Sequence, residues 1–152
     1  MMTNDRAMLD ANLVVYAFYP KAPQYQPARQ TLDQAQDETA GLCVTSQVLA
    51  EFYAVVTNPK RVNPALKPGA ALQRIDEVRS LPGLAVLPLP VDVVDRWVTL
   101  LRRHPVVRKR VFDVQLVATR LANGVKRIYT FNVKDFRRFP EIEAIEPTAP
   151  SR

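Results

Sequence analysis

Apolar residues follow two rhythms along this chain. Short runs at residues 7–9, 42–44, 84–87, 127–130 and 142–145 have the length of strands in a covered sheet. Between them apolar residues recur at helical spacing: Leu13, Val14, Ala17 and Phe18; Val48, Leu49, Phe52, Val55 and Val56; Leu72, Ile75 and Val78; Val94, Trp97, Val98 and Leu101; Leu116, Val117 and Leu121. Pro20 and Pro23 break the first helix, and a polar helical segment over 24–38 resumes until Gly41 stops it. Thr45 and Ser46 are good caps for a helix reaching about Thr57, the Pro- and Asn-rich stretch 58–68 predicts a loop, and helices follow over 69–81 and 91–103. Asp113 opens the last helix, and Asn123 with Gly124 closes it. Strands that alternate with helices predict an α/β fold, a parallel sheet between helical layers whose sites form at the C-terminal ends of the strands.

Length and composition narrow this picture. The 152 residues suffice for one domain with a full core, expected over 1–146, with a loose Pro-rich tail over 147–152. A 47% hydrophobic and 24% charged composition excludes a disordered chain. The single cysteine, Cys43, lies between Leu42 and Val44 and reads as a buried thiol in a reducing compartment, so the expected location is cytoplasmic. No segment is apolar enough to predict a signal peptide or a membrane span. Trp97, at helical spacing with apolar neighbours, reads as core.

The net charge of +6 is unevenly placed: residues 101–140 hold eleven Lys and Arg against only Asp113 and Asp135. A solvated basic face and a polyanion-binding surface both fit such a stretch. Three acids bear on the choice. Asp10 follows an apolar strand, Glu51 stands among Leu49, Phe52 and Tyr53, and Asp113 follows Val111 and Phe112. Singly, the aspartates read as helix caps and Glu51 as an exposed helix position. If the strands carrying Asp10 and Thr130 are neighbours, the carboxylates converge. Like charges so placed repel unless a cation lies between them, and oxygen donors without His or Cys select Mg²⁺ or Mn²⁺.

The segments LDANLVVYAF, TSQVLAEFYAVVT and VFDVQLVATRLANGVKRIYTFNVKDFRRFP, in this order and over nearly the whole chain, resemble the signature segments of PIN-domain proteins, especially VapC-type toxin ribonucleases of toxin-antitoxin systems. The resemblance implies a three-layer α/β/α fold with about five parallel strands and Mg²⁺- or Mn²⁺-dependent endonucleolytic cleavage of RNA. It also implies a cognate antitoxin that inserts near the acidic pocket, and a homodimer. By position, Asp10, Glu51 and Asp113 match the family's first three acids. The fourth departs: two residues after Thr130 stands Asn132, where many members carry Asp, and Asp135 lies three further on. Asn132 is favoured in the pocket, with Asp135 as the alternative or as a cap of the turn before Phe136. On this reading Asp10 and Asp113 hold the cation directly, and Glu51 helps hold it or positions the attacking water. Asn12 and Thr130 orient ligands or water, although Asn12 reads equally well as a local cap.

Lys134, Arg137 and Arg138, and next Arg108, Lys109 and Arg110, are the candidates for drawing an RNA backbone to the acids. Phe131, Phe136 and Phe139 could stack unpaired bases, with core packing expected for at least two. His104, the only histidine, stands beside Pro105 among basic residues and reads as exposed, with no acidic partner to orient it. Two other classes fit the sequence less well. A non-catalytic protein of this fold would bind RNA or a partner through the basic stretch, but it has no need of all three acids. A hydrolase with a nucleophilic aspartate wants a second acid two residues after Asp10, where this chain has Asn12.

Overall fold

The computed structural model describes residues 6–148. Five strands, β1 (Ala7–Leu9), β2 (Leu42–Thr45), β3 (Leu84–Leu87), β4 (Arg127–Tyr129) and β5 (Glu143–Ile145), form one sheet in the order β3-β2-β1-β4-β5. Every pairing is parallel. β1 and β2 are buried at every residue, as expected of apolar runs in a parallel sheet covered on both faces. Edge strand β3 alternates less cleanly and leaves Val86 exposed. The fold is therefore the α/β architecture expected from the sequence.

Strand order creates the place for a site. From β1 the chain moves outward through β2 and β3, then returns to the other side of β1 with β4 and β5, so the direction reverses between β1 and β4. Open α/β sheets form their crevice at such a reversal, beyond the C-terminal strand ends. Leu9 is in register with Tyr129, so the next residues, Asp10 and Thr130, leave the sheet side by side.

Six helices cover the sheet: α1 (Ala11–Tyr16), α2 (Tyr25–Asp33), α3 (Ser46–Val56), α4 (Pro68–Arg79), α5 (Val93–Arg103) and α6 (Arg110–Ala122). The Asp10 carboxylate accepts a hydrogen bond from the Ala11 N–H at 2.8 Å, and the Thr45 hydroxyl accepts one from the Val48 N–H at 3.1 Å, which fixes where α1 and α3 begin. Pro68 starts α4, where the missing N–H costs nothing. Gly124, at φ 73°, follows the Asn123 cap of α6 in the left-handed conformation that glycine takes freely. Asp113 does not open α6, which begins three residues earlier at Arg110, so Asp113 lies in the first turn. The Lys109 cap makes no side-chain hydrogen bond, and the helix start thus carries no capping signal. Of the expected tail, residues 149–152 fall outside the described residues, while Pro147 is buried. Among the described residues no helix is long and apolar enough to cross a membrane.

Candidate active site

Beyond the ends of β1 and β4 lies a cavity of about 480 Å³, lined by Asp10, Asn12, Glu51, Asp113, Asn132 and Asp135 together with Tyr16, Arg61 and apolar residues of α1 and α3. Its floor is the strand end. Asp10 is 8% exposed and accepts three side-chain or backbone donors: the Ala11 N–H, the Thr130 hydroxyl at 2.7 Å and, more loosely, the Asn12 amide at 3.5 Å. Thr130 does not line the cavity; it is buried behind Asp10. The Asn12 amide also reaches the Thr130 hydroxyl at 3.3 Å, and its carbonyl oxygen accepts from the Phe131 N–H at 3.2 Å. Asn12 is therefore a cross-link between the ends of β1 and β4 and not a local cap. The Thr130 hydroxyl further accepts from the Asn132 N–H at 3.0 Å, which sets the turn after β4.

The rim comes from helices. Glu51, on the second turn of α3, accepts a hydrogen bond from the Gln47 amide at 3.2 Å, and the same amide reaches the Phe112 carbonyl at 3.1 Å, tying α3 to the start of α6. Asp113 faces the cavity from α6, and Asp135 from the 3₁₀ turn Val133–Phe136. Burial raises the carboxyl of Asp10 above the usual range, and the hydrogen bonds from Thr130 and Ala11 offset part of that. Burial also raises Glu51, with the charge of Asp10 adding to it. Asp113 is pushed up to about 6, first by burial and then by the charges of Asp135, Asp10 and Glu51. The acids thus lie within reach of one another's charge, Asp135 acting on Asp10 and Asp113, and Asp10 on Glu51 and Asp113.

The donor set fits a hard divalent cation: carboxylate and amide oxygens, with neither His nor Cys on the cavity wall. The side chains do not close on a point, however. Among the described residues no three Asp, Glu, His or Cys are placed to hold a metal ion together. Asn132 and Asp135 both reach the cavity wall, and of the two it is Asp135 whose charge acts on Asp10 and Asp113.

The basic candidates divide. Arg110, Lys134 and Arg138 line an adjoining cavity of about 260 Å³ that shares Asp113 and Asp135 with the acidic one. Arg108 and Lys109 line a further concavity with Arg110 and Arg138. Arg137 is exposed and lines none of these three. Phe136 and Phe139 are core, at 3% and 2% exposure, and Phe131 is half-buried edge-on to Tyr16 at 5.5 Å. His104 corrects its sequence reading: it is half-buried against Phe139, with Nε2 at 3.6 Å from Glu141, because the end of α5 folds back over the segment before β5.

Besides Tyr16 on the cavity wall, three residues of the site were not expected. Gln47, four before Glu51, was legible as a helical neighbour. Arg61 lies in the loop 58–68, where no periodicity points inward, and it is the one base on the acidic cavity wall. Arg120 is fully buried, and its three guanidinium nitrogens have no hydrogen-bond partner among the described residues. Burial draws its pKa down to about 10, and its charge lowers that of Asp10. It stands seven residues after Asp113, hence on the same face of α6 and two turns deeper, a spacing that was available in the sequence.

The family model for the PIN domain matches residues 7–142. Ribonuclease VapC24 of Mycobacterium tuberculosis is 28% identical over 131 residues, which are 86% of this chain and 89% of that protein. Among solved structures, VapBC2 from Rickettsia felis, bound to a DNA fragment from its promoter, superposes with a TM-score of 0.65 at 20% identity, covering 93% of this chain and 98% of that one. Mycobacterium tuberculosis VapC20, described as a Sarcin-Ricin loop cleaving toxin, superposes with a TM-score of 0.66 at 14% identity, over 93% and 99%. At these identities the structures establish the shared fold.

Proposed function

Since this chain belongs to the PIN-domain family, we propose that it is a Mg²⁺- or Mn²⁺-dependent endoribonuclease and the toxin of a toxin-antitoxin pair. One observation carries the reading: Asp10, Glu51 and Asp113, far apart in sequence and on three different elements, line one cavity at the sheet's switch point. The names of the ribonuclease relative and of the toxin structures support it. Buried single Cys43 is in keeping with a reducing, cytoplasmic setting.

Asp10 and Asp113 are the proposed cation holders, and Glu51, kept in place by Gln47, helps to hold it or positions the attacking water. The cation, when bound, supplies a lowered pKa for water and neutralises charge developing on the phosphate. Thr130 and Asn12 keep Asp10 aimed at the cavity by hydrogen bonds that need no rearrangement. Arg110, Lys134 and Arg138, next to Asp113 and Asp135, draw the phosphate backbone toward acids that alone would repel it. A homodimer and an antitoxin seated near the acids complete the proposal.

The test uses the purified chain, free of any partner, with structured RNA and Mn²⁺. Cleavage is expected, and it is lost with EDTA and in Asp10→Asn. Cleavage that survives both treatments overturns the metal mechanism, and RNA binding without any cleavage favours a binding protein. Growth arrest on expression, relieved by the neighbouring gene, tests the toxin role. A mass for the antitoxin complex that corresponds to one copy of this chain at all concentrations overturns the dimer.

A further inference from the structure

A strand that places its scissile phosphate at the acids must leave through a neighbouring concavity. Two adjoin the acidic cavity through different walls. One, through Asp113 and Asp135, is basic, and its aromatic residue Phe139 is buried. The other, through Val15, Tyr16, Arg61 and Val62, opens into a cavity of about 680 Å³, in the range that holds small ligands. Its lining contains Lys21, Arg61 and Arg74 and no acid. Arg74 is paired with Glu77 at 2.6 Å, whereas Lys21 and Arg61 have no ion pair among the described residues and are exposed. Two half-buried tyrosines, Tyr16 and Tyr19, form part of the wall. The Tyr19 hydroxyl donates to the Pro64 carbonyl at 3.0 Å, which ties the end of α1 to the loop 58–68 and keeps the walls in register.

Resting on the ribonuclease reading above, we propose that this cavity is a subsite for the unpaired nucleotides next to the cleaved bond, with bases against Tyr16 and Tyr19 and backbone phosphates at Lys21 and Arg61. Cations beside aromatic rings are the combination that binds single strands, through charge along the backbone and stacking that accepts any base. A base inside a duplex has its faces covered by its neighbours and cannot use such a wall. Of Phe131, Phe136 and Phe139, for which the sequence allows stacking but favours core packing in at least two, Phe136 and Phe139 are core and Phe131 lies edge-on to Tyr16 beside this cavity.

The probes are a short oligouridylate and an RNA duplex of equal length, measured by fluorescence anisotropy with Asp10→Asn protein in Mg²⁺, and by cleavage with otherwise wild-type protein in Mn²⁺. The single strand is expected to bind more tightly than the duplex. Tyr16→Ala lowers its affinity roughly tenfold and raises KM by a similar factor with little change in kcat, while Tyr16→Phe keeps both. The double variant Lys21→Ala with Arg61→Ala, at two exposed positions, reduces the slope of log affinity against log salt by about 1.4. If these variants bind and cut as their parents do, the subsite is wrong and the ribonuclease reading stands. If the wild type cuts no RNA yet the variants lose the oligouridylate as expected, the subsite stands and the enzymatic reading falls. Variants that keep RNA but lose the protein encoded next to this one overturn the subsite in favour of a peptide groove.

Discussion

At the floor of the acidic cavity Asp10 receives hydrogen bonds from Thr130, Ala11 and Asn12, whereas at the rim Asp113 receives none among the described residues. The floor is set by strand register and by partners more than a hundred residues away, so it is rigid before any ligand arrives. The rim is carried by helices, and its charges oppose one another: Asp113 is pushed up to about 6 with Asp135, Asp10 and Glu51 all adding to the rise. A cation therefore changes the two regions unequally. It replaces repulsion at the rim, while at the floor it meets a ligand already aimed.

The largest expected effect comes from the floor. Asp10→Asn preserves the shape and can still accept from Ala11, but it removes the charge that a cation needs. RNA cleavage in Mn²⁺ should fall by roughly a thousandfold, on the scale of several kcal/mol of lost cation assistance. Thermal stability without metal should not fall, because the buried carboxylate whose pKa is raised is replaced by a neutral amide. A substituted protein that melts well below the parent would show that the floor holds the fold together more than it holds a ligand.

Asp113→Asn is the matching test at the rim, with about a hundredfold loss of cleavage expected and a gain in metal-free stability. The carboxyl of Asp113 titrates at about 6 in the fold against an ordinary 3.8, so the folded state binds the proton more tightly. Its cost to stability is absent below about pH 4, grows as pH rises through the interval between those values, and is fully present above about 6. The metal-free chain should therefore lose stability from pH 4 to 6, and Asp113→Asn should lessen that slope, the raised Asp10 and Glu51 keeping part of it, and gain about 1 kcal/mol at neutral pH after allowance for solvent screening at this half-buried group. Saturating Mn²⁺ at a hundred times its Kd should stabilise the parent by about 2.7 kcal/mol, read from denaturant midpoints, and the variant by much less. Equal stabilisation of both would place the cation away from the rim.

The floor was legible in the sequence and most of the rim was less so, for physical reasons. An apolar run ending in Asp10 and another ending in Thr130 mark strand ends, and a parallel sheet buries such runs on both faces, which makes them stand out. That the two strands are neighbours stands in the sequence only as a condition, because periodicity does not encode strand order, and it is the pairing of β1 with β4 that meets it. Glu51 was visible as an acid among apolar helix positions, and Asp113 was recognised although its helix starts three residues earlier, on a Lys109 cap that makes no side-chain bond. Arg61 and Tyr16 were missed because a loop and a short helix acquire an inward wall only when they pack. Arg120 is one of the eleven bases of the stretch 101–140, and nothing in the sequence sets it apart from them as buried, since a buried unpaired guanidinium runs against every sequence expectation.

Behind the floor stands Thr130, whose hydroxyl donates to Asp10 and accepts from Asn132 and Asn12. Thr130→Val keeps the volume and removes all three bonds. Losing an outer partner of this kind typically costs ten- to a hundredfold in metal affinity, so Mn²⁺ titration should show a shift on the order of tenfold, with about 1–2 kcal/mol of stability lost from the unpaired groups. Thr130→Ser, which restores the hydroxyl, should recover most of both. If Val and Ser variants bind Mn²⁺ alike, Asp10 is held by its helix cap alone and the floor is less preorganised than its hydrogen bonds imply.

The smallest effects separate Asn132 from Asp135 in the fourth position. Both reach the wall, but they act differently: the Asn132 backbone N–H is bound to Thr130, whereas the charge of Asp135 raises both Asp10 and Asp113. Both side chains are exposed, so each single change is screened by water. If Asp135 carries the fourth charge, Asp135→Asn weakens Mn²⁺ binding by about threefold while bringing the Asp113 carboxyl back toward 3.8, and both follow from one titration of the variant by NMR. Asn132→Asp should then tighten Mn²⁺ by a similar factor, because a fifth acid adds attraction for the cation, and it should lower metal-free stability by adding repulsion at the rim. Asn132→Asp that tightens binding while Asp135→Asn changes nothing would assign the position to Asn132, with the acid at 135 serving only the turn that carries it.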